Sequence, residues 1–318
     1  MAVLPAPAAH ILSRFDISLQ PLGAKPRRSA MTDSPAPAPF YRIGPDRPVS
    51  PVVLSVPHAG RAYSPALLRA ARVPLSVLEA LEDRLVDRLV WRAVTGGATA
   101  IVASVPRAEI DLNRDEREMD PAMVAPAPRL DTLLATNRMR GGLGLVPARI
   151  AGAGALWRGR ISADELRRRV ETVHRPYHAA VARALEEARQ AFGIAILLDC
   201  HSMPPRASSA PVPGIVFGDR HGTTIAPDLL GVAVATARGL GFPVVCNDPY
   251  AGGHIIERQA RPAAGVHALQ MEIDRSLYLD RGLREPGPGF DAATRLIARI
   301  SSALGAAAAG DMMAIAAE

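Results

Sequence analysis

The feature that most constrains this chain is an alternation of short apolar runs with longer helical patterns. The apolar runs are rich in β-branched residues and cover 51–56, 98–105, 194–199, 214–217, 243–246 and 267–273. Runs that lack polar alternation are typical of strands covered on both faces. Helical patterns fill the gaps, at 76–93, 128–140, 162–191, 224–240 and 289–308. We therefore predict an α/β fold with three α/β/α layers around a mostly parallel or mixed central sheet.

The two ends of the chain differ from this pattern. Residues 1–40 are rich in Pro and Ala and lack the apolar stretch of a secretory signal, so we predict a disordered or flexible N-terminal arm. Met31 opens a stretch that reads like a natural start, so a misassigned upstream start codon is the alternative to a flexible arm. We expect one domain over residues 41–308 and a frayed, Ala-rich tail over residues 309–318.

The charge of the chain is basic but does not favour a nucleic-acid partner. It holds 37 Lys and Arg against 31 Asp and Glu, a net charge of +6, and Lys25 is the only lysine. Aromatic residues make up only 4% of the chain, which leaves few rings to stack on bases. The Arg-rich composition is instead typical of a GC-rich genome, so the composition argues against nucleic-acid binding.

The apolar stretches and the cysteine count indicate the cellular location of the protein. Charge or proline interrupts each apolar stretch before it reaches the roughly 18 residues of a membrane-spanning helix. The two cysteines, Cys200 and Cys246, are too few for a disulfide framework or a thiolate zinc site. We therefore expect a reducing, cytoplasmic location and no membrane partner.

Polar side chains cluster where the predicted strands end. In open α/β sheets, ligands bind beyond the carboxyl ends of the strands. Asp199 precedes His201 by two residues, so both point to the same side of an extended segment, and Asp199 can orient the imidazole of a metal-bound histidine. A structural histidine and a strand-end aspartate remain the alternative interpretation. The residues at these ends are His58, Arg107, Asp111, Asn113, Arg114, Asp199, His201 and Glu272.

The helical pattern over 76–93 adds an acidic candidate. Ser76 and Glu79 have the spacing of a capping box, and leucines form one apolar stripe. Glu79, Asp83 and Asp87 form an acidic row on another side, where like charges repel. Asp83 has no basic residue three or four positions away. The row is either a solvated helix face or a sign that Asp83 faces a cation elsewhere.

An ordered set of motifs over roughly residues 50–282 resembles the N-formylglutamate amidohydrolase family. No single motif is diagnostic, but the set is fairly specific. The motifs are SVPHAG at 55–60, EDRLVDRL at 82–89, VPR at 105–107, DLNRD at 111–115, GLGLVP at 142–147, HRPYH at 174–178, DCHSM at 199–203, GDRHG at 218–222 and YAGG at 250–253.

The resemblance implies a fold similar to zinc exopeptidases of the carboxypeptidase type and to aspartoacylase. It implies one Zn²⁺ ion held by two histidines and a carboxylate, for which His58 and His201 match by position. Distant relatives place a Glu where this chain has Arg61. The acidic ligand is therefore expected to be Asp83, with Glu82 and Asp87 as alternatives.

The resemblance also implies roles for the remaining residues. Glu272 resembles the general base and Arg107 the arginine that stabilises the oxyanion. Asn113 and Arg114 resemble a pair that binds a substrate carboxylate, and the region of His254 and Arg258 is expected to shape the substrate pocket.

The reaction implied is hydrolysis of N-formyl-L-glutamate or a similar small, anionic N-acyl amino acid, with a place in histidine degradation. The alternatives are a metallohydrolase for another acylated amino acid or short peptide, and a metal-free, non-catalytic family member. The sequence indicates no oligomeric state.

Overall fold

The structure, a computed structural model, describes residues 38–205 and 214–315. The described residues from Pro39 onward cluster as one compact unit. Most of the predicted N-terminal arm, residues 1–37, lies outside the described residues, as do residues 316–318 of the predicted tail.

One seven-stranded sheet forms the centre of the molecule. All six predicted runs are strands, and one further strand, β1, lies at an edge of the sheet, antiparallel to β3. The four central strands run parallel in the order β3-β2-β4-β7, and β5 and β6 run opposite to them. The mixed sheet confirms the prediction. The strands are β1 Phe40–Ile43, β2 Val52–Val56, β3 Thr99–Ala103, β4 Ala195–Met203, β5 Ile215–Gly218, β6 Val244–Cys246 and β7 Val266–Asp274.

Helices cover both faces of this sheet, which confirms the three layers. The helices are α1 Pro65–Ala70, α2 Leu75–Leu78, α3 Val86–Leu89, α4 Trp91–Thr95, α5 Asn137–Arg140, α6 Ala163–Arg169, α7 Arg175–Phe192, α8 Pro227–Gly239, α9 His254–Gln259 and α10 Phe290–Ile315. Helices α7 and α9 pack on one face of the sheet, and α10 packs on the other together with α4 and α8. The buried residues of α7 recur at helical spacing, as expected for an amphipathic helix, and include Tyr177, Val181, Leu185 and Ala188.

The predicted helix over 76–93 is wrong as a continuous element. The chain instead forms α2, a 3₁₀ turn at Glu79–Leu81, a non-helical turn, α3 and α4. Pro74 takes the N-cap position, so the predicted capping box at Ser76 does not form. The helical path ends at Glu82, whose backbone is extended, and Leu85, with a φ of 63°, is the N-cap from which α3 begins. The leucine stripe did predict burial, but tertiary contacts of the turn outweigh helix propensity.

Of the other predicted helices, the one over 162–191 forms with an interruption and the one over 128–140 mostly does not form. Ser162 accepts a hydrogen bond from the Glu165 amide, so the predicted N-terminal cap of α6 forms. The predicted helix over 162–191 is interrupted by a π-helical turn at Val170–His174, which separates α6 from α7. The π turn precedes Pro176, which has no N–H to continue the α-helical ladder. The pattern over 128–140 is wrong for most of its length, since it contains a 3₁₀ turn at Leu130–Thr132 and the single turn of α5.

The last helix, α10, continues to Ile315, beyond the predicted end of the domain at residue 308. It is the longest of the described helices. Among the described residues, neither α10 nor any other helix combines the length and apolarity needed to cross a membrane.

Gly60 of the SVPHAG motif permits a close approach between the loop after β2 and the end of β3. A Cβ atom built at Gly60 would lie 1.9 Å from the Val105 carbonyl oxygen. We expect Gly60→Ala to lower the free energy of unfolding by about 3 kcal/mol, because the backbone itself must shift. Chemical denaturation measures this change. Gly159→Ala, where nothing lies within 4 Å, is the control, and equal stabilities of the two variants would contradict the prediction.

Candidate metal centre and active site

Three buried side chains from separate parts of the chain meet at the carboxyl edge of the parallel strands. His58 follows β2, and His201 lies within β4, which continues past Asp199 to Met203. Their ring centroids are 4.8 Å apart. Asp83 lies in the turn that interrupts the predicted helix, and its amide donates a 2.9 Å hydrogen bond to the His58 carbonyl. This bond brings the turn to the end of β2.

The two imidazoles present the same ring nitrogen to one carboxylate oxygen. His201 Nδ1 lies 2.9 Å and His58 Nδ1 lies 3.3 Å from Asp83 Oδ2. Within the part of the chain that the structure describes, these residues are the only group of at least three His, Cys, Asp or Glu side chains whose candidate ligand atoms all lie within 4.8 Å of one another. Although burial raises the pKa of Asp83, its hydrogen bond with His201 and its electrostatic contact with His58 outweigh burial and hold that pKa well below its usual range.

Each imidazole is oriented by a second carboxylate behind it. His58 Nε2 donates a 2.7 Å hydrogen bond to Asp111 Oδ1, and His201 Nε2 donates a 2.9 Å bond to Asp199 Oδ2. A proton on Nε2 leaves Nδ1 of each ring facing Asp83. Carboxylate–histidine pairs of this kind are typical behind metal-ligating imidazoles.

The donor set fits a divalent metal ion. His58 Nδ1 is buried and makes no hydrogen bond to any described residue, although it faces Asp83. A buried polar atom without a partner is costly unless a ligand satisfies it. Two imidazole nitrogens and one carboxylate oxygen are a ligand set that zinc takes in hydrolases, and this set leaves a coordination position open.

The two alternative acidic ligands are held by other partners. Glu82 accepts hydrogen bonds from the Tyr63 hydroxyl at 2.7 Å and from Arg84 at 3.0 Å. Asp87 forms a two-bond ion pair with Arg61 at 2.5 and 3.2 Å. Asp83 is thus the acidic residue of this segment that contacts both imidazoles, and Arg61 stabilises the neighbouring turn.

Glu272 lies beside the candidate ligands. It pairs with His201 in the register of β4 and β7, and its side chain lines the cavity at the metal centre. Gln270 Nε2 donates a 2.9 Å hydrogen bond to its Oε1 atom. Burial raises the pKa of Glu272, and the charge of His201 only partly offsets this effect. A carboxylate with a raised pKa is suited to proton transfer near neutral pH.

Arg107 lies on the opposite side of Asp111 from His58. Its Nε donates a 2.8 Å hydrogen bond to Asp111 Oδ2. Burial lowers the pKa of Arg107, but the charges of Asp111 and Asp83 outweigh it and raise that pKa. The guanidinium lines the same cavity as Glu272 and stays charged.

Asn113 and Arg114 also line the cavity, but protein partners engage most of their polar atoms. Asn113 Oδ1 accepts a hydrogen bond from the Ile255 amide, and Nδ2 donates to Gln270 Oε1. Arg114 donates through Nε to the Leu143 carbonyl and through Nη1 to the Asn113 carbonyl. The pair therefore also fixes the loop that follows β3.

The structure does not bring His254 and Arg258 to this cavity. His254 begins α9, and its ring lies 5.3 Å from His178 and 6.2 Å from His174 between ring centroids. Arg258 is exposed. The start of α9 is fixed by the bond from the Ile255 amide to Asn113, so the His254 ring lies against α7 instead of the metal centre.

The cavity measures about 490 Å³ and includes residues that the sequence analysis did not identify. Arg275 donates to Asp83 Oδ1 at 3.2 Å and to Ser202 Oγ at 3.1 Å. It follows β7 directly, so the same strand-end signal that identified Glu272 could have found it. Arg138 of α5 gave no such signal, because it lies in a segment that was predicted as a longer helix.

Comparisons with known proteins identify the family of the chain. The family model for N-formylglutamate amidohydrolase matches residues 50–279. An N-formylglutamate deformylase of Pseudomonas putida is 30% identical over 239 residues, 72% of this chain and 82% of the relative, and one of Pseudomonas aeruginosa is 29% identical over 238 residues.

The comparison with solved structures also finds an N-formylglutamate amidohydrolase. The crystal structure of N-formylglutamate amidohydrolase from Ralstonia eutropha JMP134 has a TM-score of 0.77 and 34% identity, over 83% of this chain and 96% of that one. A gene product of Agrobacterium tumefaciens, at 19% identity and a TM-score of 0.54 over 85% and 96% of the two chains, shares the fold. With the fold, the ordered motifs and the family match in agreement, this chain belongs to the N-formylglutamate amidohydrolase family.

Proposed function

We propose that the chain is a zinc-dependent hydrolase that cleaves the formyl amide of N-formyl-L-glutamate into formate and glutamate. The observation that supports this most directly is the convergence of His58 Nδ1, His201 Nδ1 and Asp83 Oδ2 beside Glu272 in one cavity. The names of the curated relatives supply the substrate.

His58, His201 and Asp83 would hold the zinc ion. When bound, zinc supplies Lewis acidity, which polarises a carbonyl group and lowers the pKa of a water molecule to about 7. Asp111 and Asp199 fix the two rings so that neither Nδ1 has to reorient. Arg275 holds Asp83 Oδ1, which leaves Oδ2 directed at the imidazoles.

Glu272 moves the proton in this mechanism. Its carboxylate accepts a proton from the water that attacks the formyl carbon, and the carboxylic acid so formed protonates the leaving amine nitrogen. Gln270 donates to Oε1, and Oε2 makes no hydrogen bond to any residue that the structure describes, so Oε2 can take part in this transfer.

Arg107 stabilises the charge that develops on the formyl oxygen. Asp111 orients its guanidinium through the Nε bond, so the donors are fixed before the reaction begins. Because Asp111 also holds His58, one buried carboxylate sets the relative positions of the metal centre and the oxyanion donor.

Arg114 is proposed to contact a substrate carboxylate, with Asn113 supporting it. Arg114 Nη2 lies 3.8 Å from Asp111 Oδ2, so this nitrogen is less tightly engaged than Nε and Nη1. Roles for His254 and Arg258, a cytoplasmic location and a place in histidine degradation stay predictions.

An assay of formate release from N-formyl-L-glutamate, combined with metal analysis of the purified protein, tests the proposal. We expect about one zinc per chain and loss of turnover after chelation, restored by added zinc. Stoichiometric zinc without turnover of this substrate would move the function to another acylated amino acid or peptide. A folded protein that binds no metal would contradict the proposal and favour a non-catalytic family member.

A further inference from the structure

The side chains that line the cavity carry more positive than negative charge. Five arginines line it, against the two carboxylates of Asp83 and Glu272. A divalent ion would add further positive charge. A cavity with this surplus is suited to an anion with more than one negative charge. The cationic lining consists of Arg107, Arg114, Arg138, Arg149 and Arg275.

Four of these guanidinium groups already have partners in the protein. Arg107 is bound to Asp111, and Arg275 is bound to Asp83 and Ser202. Arg114 donates to two backbone carbonyls, and Arg149 donates to the carbonyl of Arg140. These contacts fix the four side chains and explain their presence without a ligand.

Arg138 differs from the other four. Its side chain makes no hydrogen bond or ion pair with any residue in the ranges that the structure describes, although it is only partly exposed. Arg138 and Arg114 line the same cavity. Burial is the main cause that lowers the pKa of Arg114, and the positive charges of Arg107 and Arg138 lower it further, so Arg138 and Arg114 repel each other. An anion bound beside Arg138 would remove this repulsion.

The turn that presents Arg138 is fixed before any ligand binds. Thr136 caps α5 by accepting a hydrogen bond from the Met139 amide, and its hydroxyl donates a 2.6 Å bond to Glu118. The Leu143 amide bonds the Arg138 carbonyl at 2.8 Å and closes the turn. Because the backbone of this turn is fixed, binding a carboxylate through Arg138 has to order only the side chain and not the loop.

We propose that Arg138 binds the side-chain carboxylate of the substrate and thereby makes the enzyme selective for N-acyl amino acids that carry a second acidic group. This inference rests on the proposed function. Arg114 would hold the α-carboxylate, and Arg138 beside it would hold the distal one, so that the two repelling cations are separated by two anions.

The test compares N-formyl-L-glutamate with N-formyl-L-glutamine, which has the same shape and α-carboxylate but no distal charge. In Arg138→Gln we expect kcat/KM for the glutamate substrate to fall about 10- to 100-fold, mainly through KM, because a charge-assisted hydrogen bond is lost. For the glutamine substrate, kcat/KM should change by less than about threefold. Arg138→Lys keeps the positive charge and should therefore retain part of the preference for N-formyl-L-glutamate over N-formyl-L-glutamine.

Arg140→Gln is the matched control. Arg140 lies on the same turn but is exposed, bonds the Asn137 side chain and does not line the cavity, so its loss should leave both substrates unaffected. An equal loss for both substrates in Arg138→Gln would assign Arg138 to the α-carboxylate and overturn the proposal, as would no change for either. A wild-type protein that hydrolyses neither substrate would instead refute the proposed function, and this inference with it.

Discussion

Alanine in place of His58 or of His201 is expected to abolish stoichiometric zinc binding and to lower kcat/KM by at least about 10³-fold. Each substitution removes one of three ligand atoms that lie within 4.8 Å of one another. It also leaves a carboxylate, Asp111 or Asp199, buried without the imidazole that now bonds it. Each substitution should therefore lower the affinity for zinc and also loosen the packing of the side chains around the site.

Metal analysis after gel filtration, alongside turnover of N-formyl-L-glutamate, measures both losses. Circular dichroism establishes that each variant is folded, so that loss of metal is not a consequence of unfolding. Full zinc content in both variants would contradict the ligand assignment.

Two variants in the segment of the turn and α3 decide which acidic residue is a ligand. Asp83→Asn should lose zinc, because its carboxylate is the one that contacts both imidazoles. Asp87→Asn is the control: its carboxylate pairs with Arg61, so zinc content should not change. Loss of zinc in Asp87→Asn alone would transfer the ligand role to Asp87.

The sequence predicted the central sheet because buried strands leave a local signal, and the same signal indicates which side chains meet at the sheet edge. Buried parallel strands read as continuous apolar runs, and all six runs were found as strands. The carboxyl ends of those strands share one edge, so the sequence alone could bring His58, His201 and Glu272 together. The missed edge strand β1 is only partly buried at three of its four residues, which leaves a weaker apolar signal.

The position of Asp83 shows where sequence reasoning fails. Its lack of a basic neighbour correctly marked it as unusual, but leucine spacing predicted a helix that would have placed it on a surface row. The structure breaks that helix, because a backbone bond to His58 and contacts with His201 hold Asp83 in a turn. These contacts join Asp83 to residues 25 and 118 positions away, and no local pattern encodes them. Arg138 was missed for the same reason, since only the folded loop brings it to the cavity.

Glutamine at position 272 is expected to lower kcat by about 10³-fold while zinc content and KM stay near those of the wild type. Glu272 is not one of the three clustered ligand residues, so the substitution should leave metal binding intact. Glutamine has nearly the same shape and can still hydrogen-bond Gln270. What it lacks is the capacity to accept a proton from water and deliver it to the leaving nitrogen.

Glu272→Gln distinguishes a proton-transfer role from a metal-ligand role, because only the first predicts loss of turnover without loss of zinc. Glu257→Gln is the matched control, because that carboxylate pairs with Arg220 at the surface and should tolerate the same change without loss of rate. If Glu272→Gln loses zinc, Glu272 acts as a ligand and not as a base. If it keeps both zinc and full kcat, another group transfers the proton, and the cavity offers only one further carboxylate, Asp83, which already faces the two imidazoles. Retained turnover would therefore contradict the role of Glu272 in proton transfer.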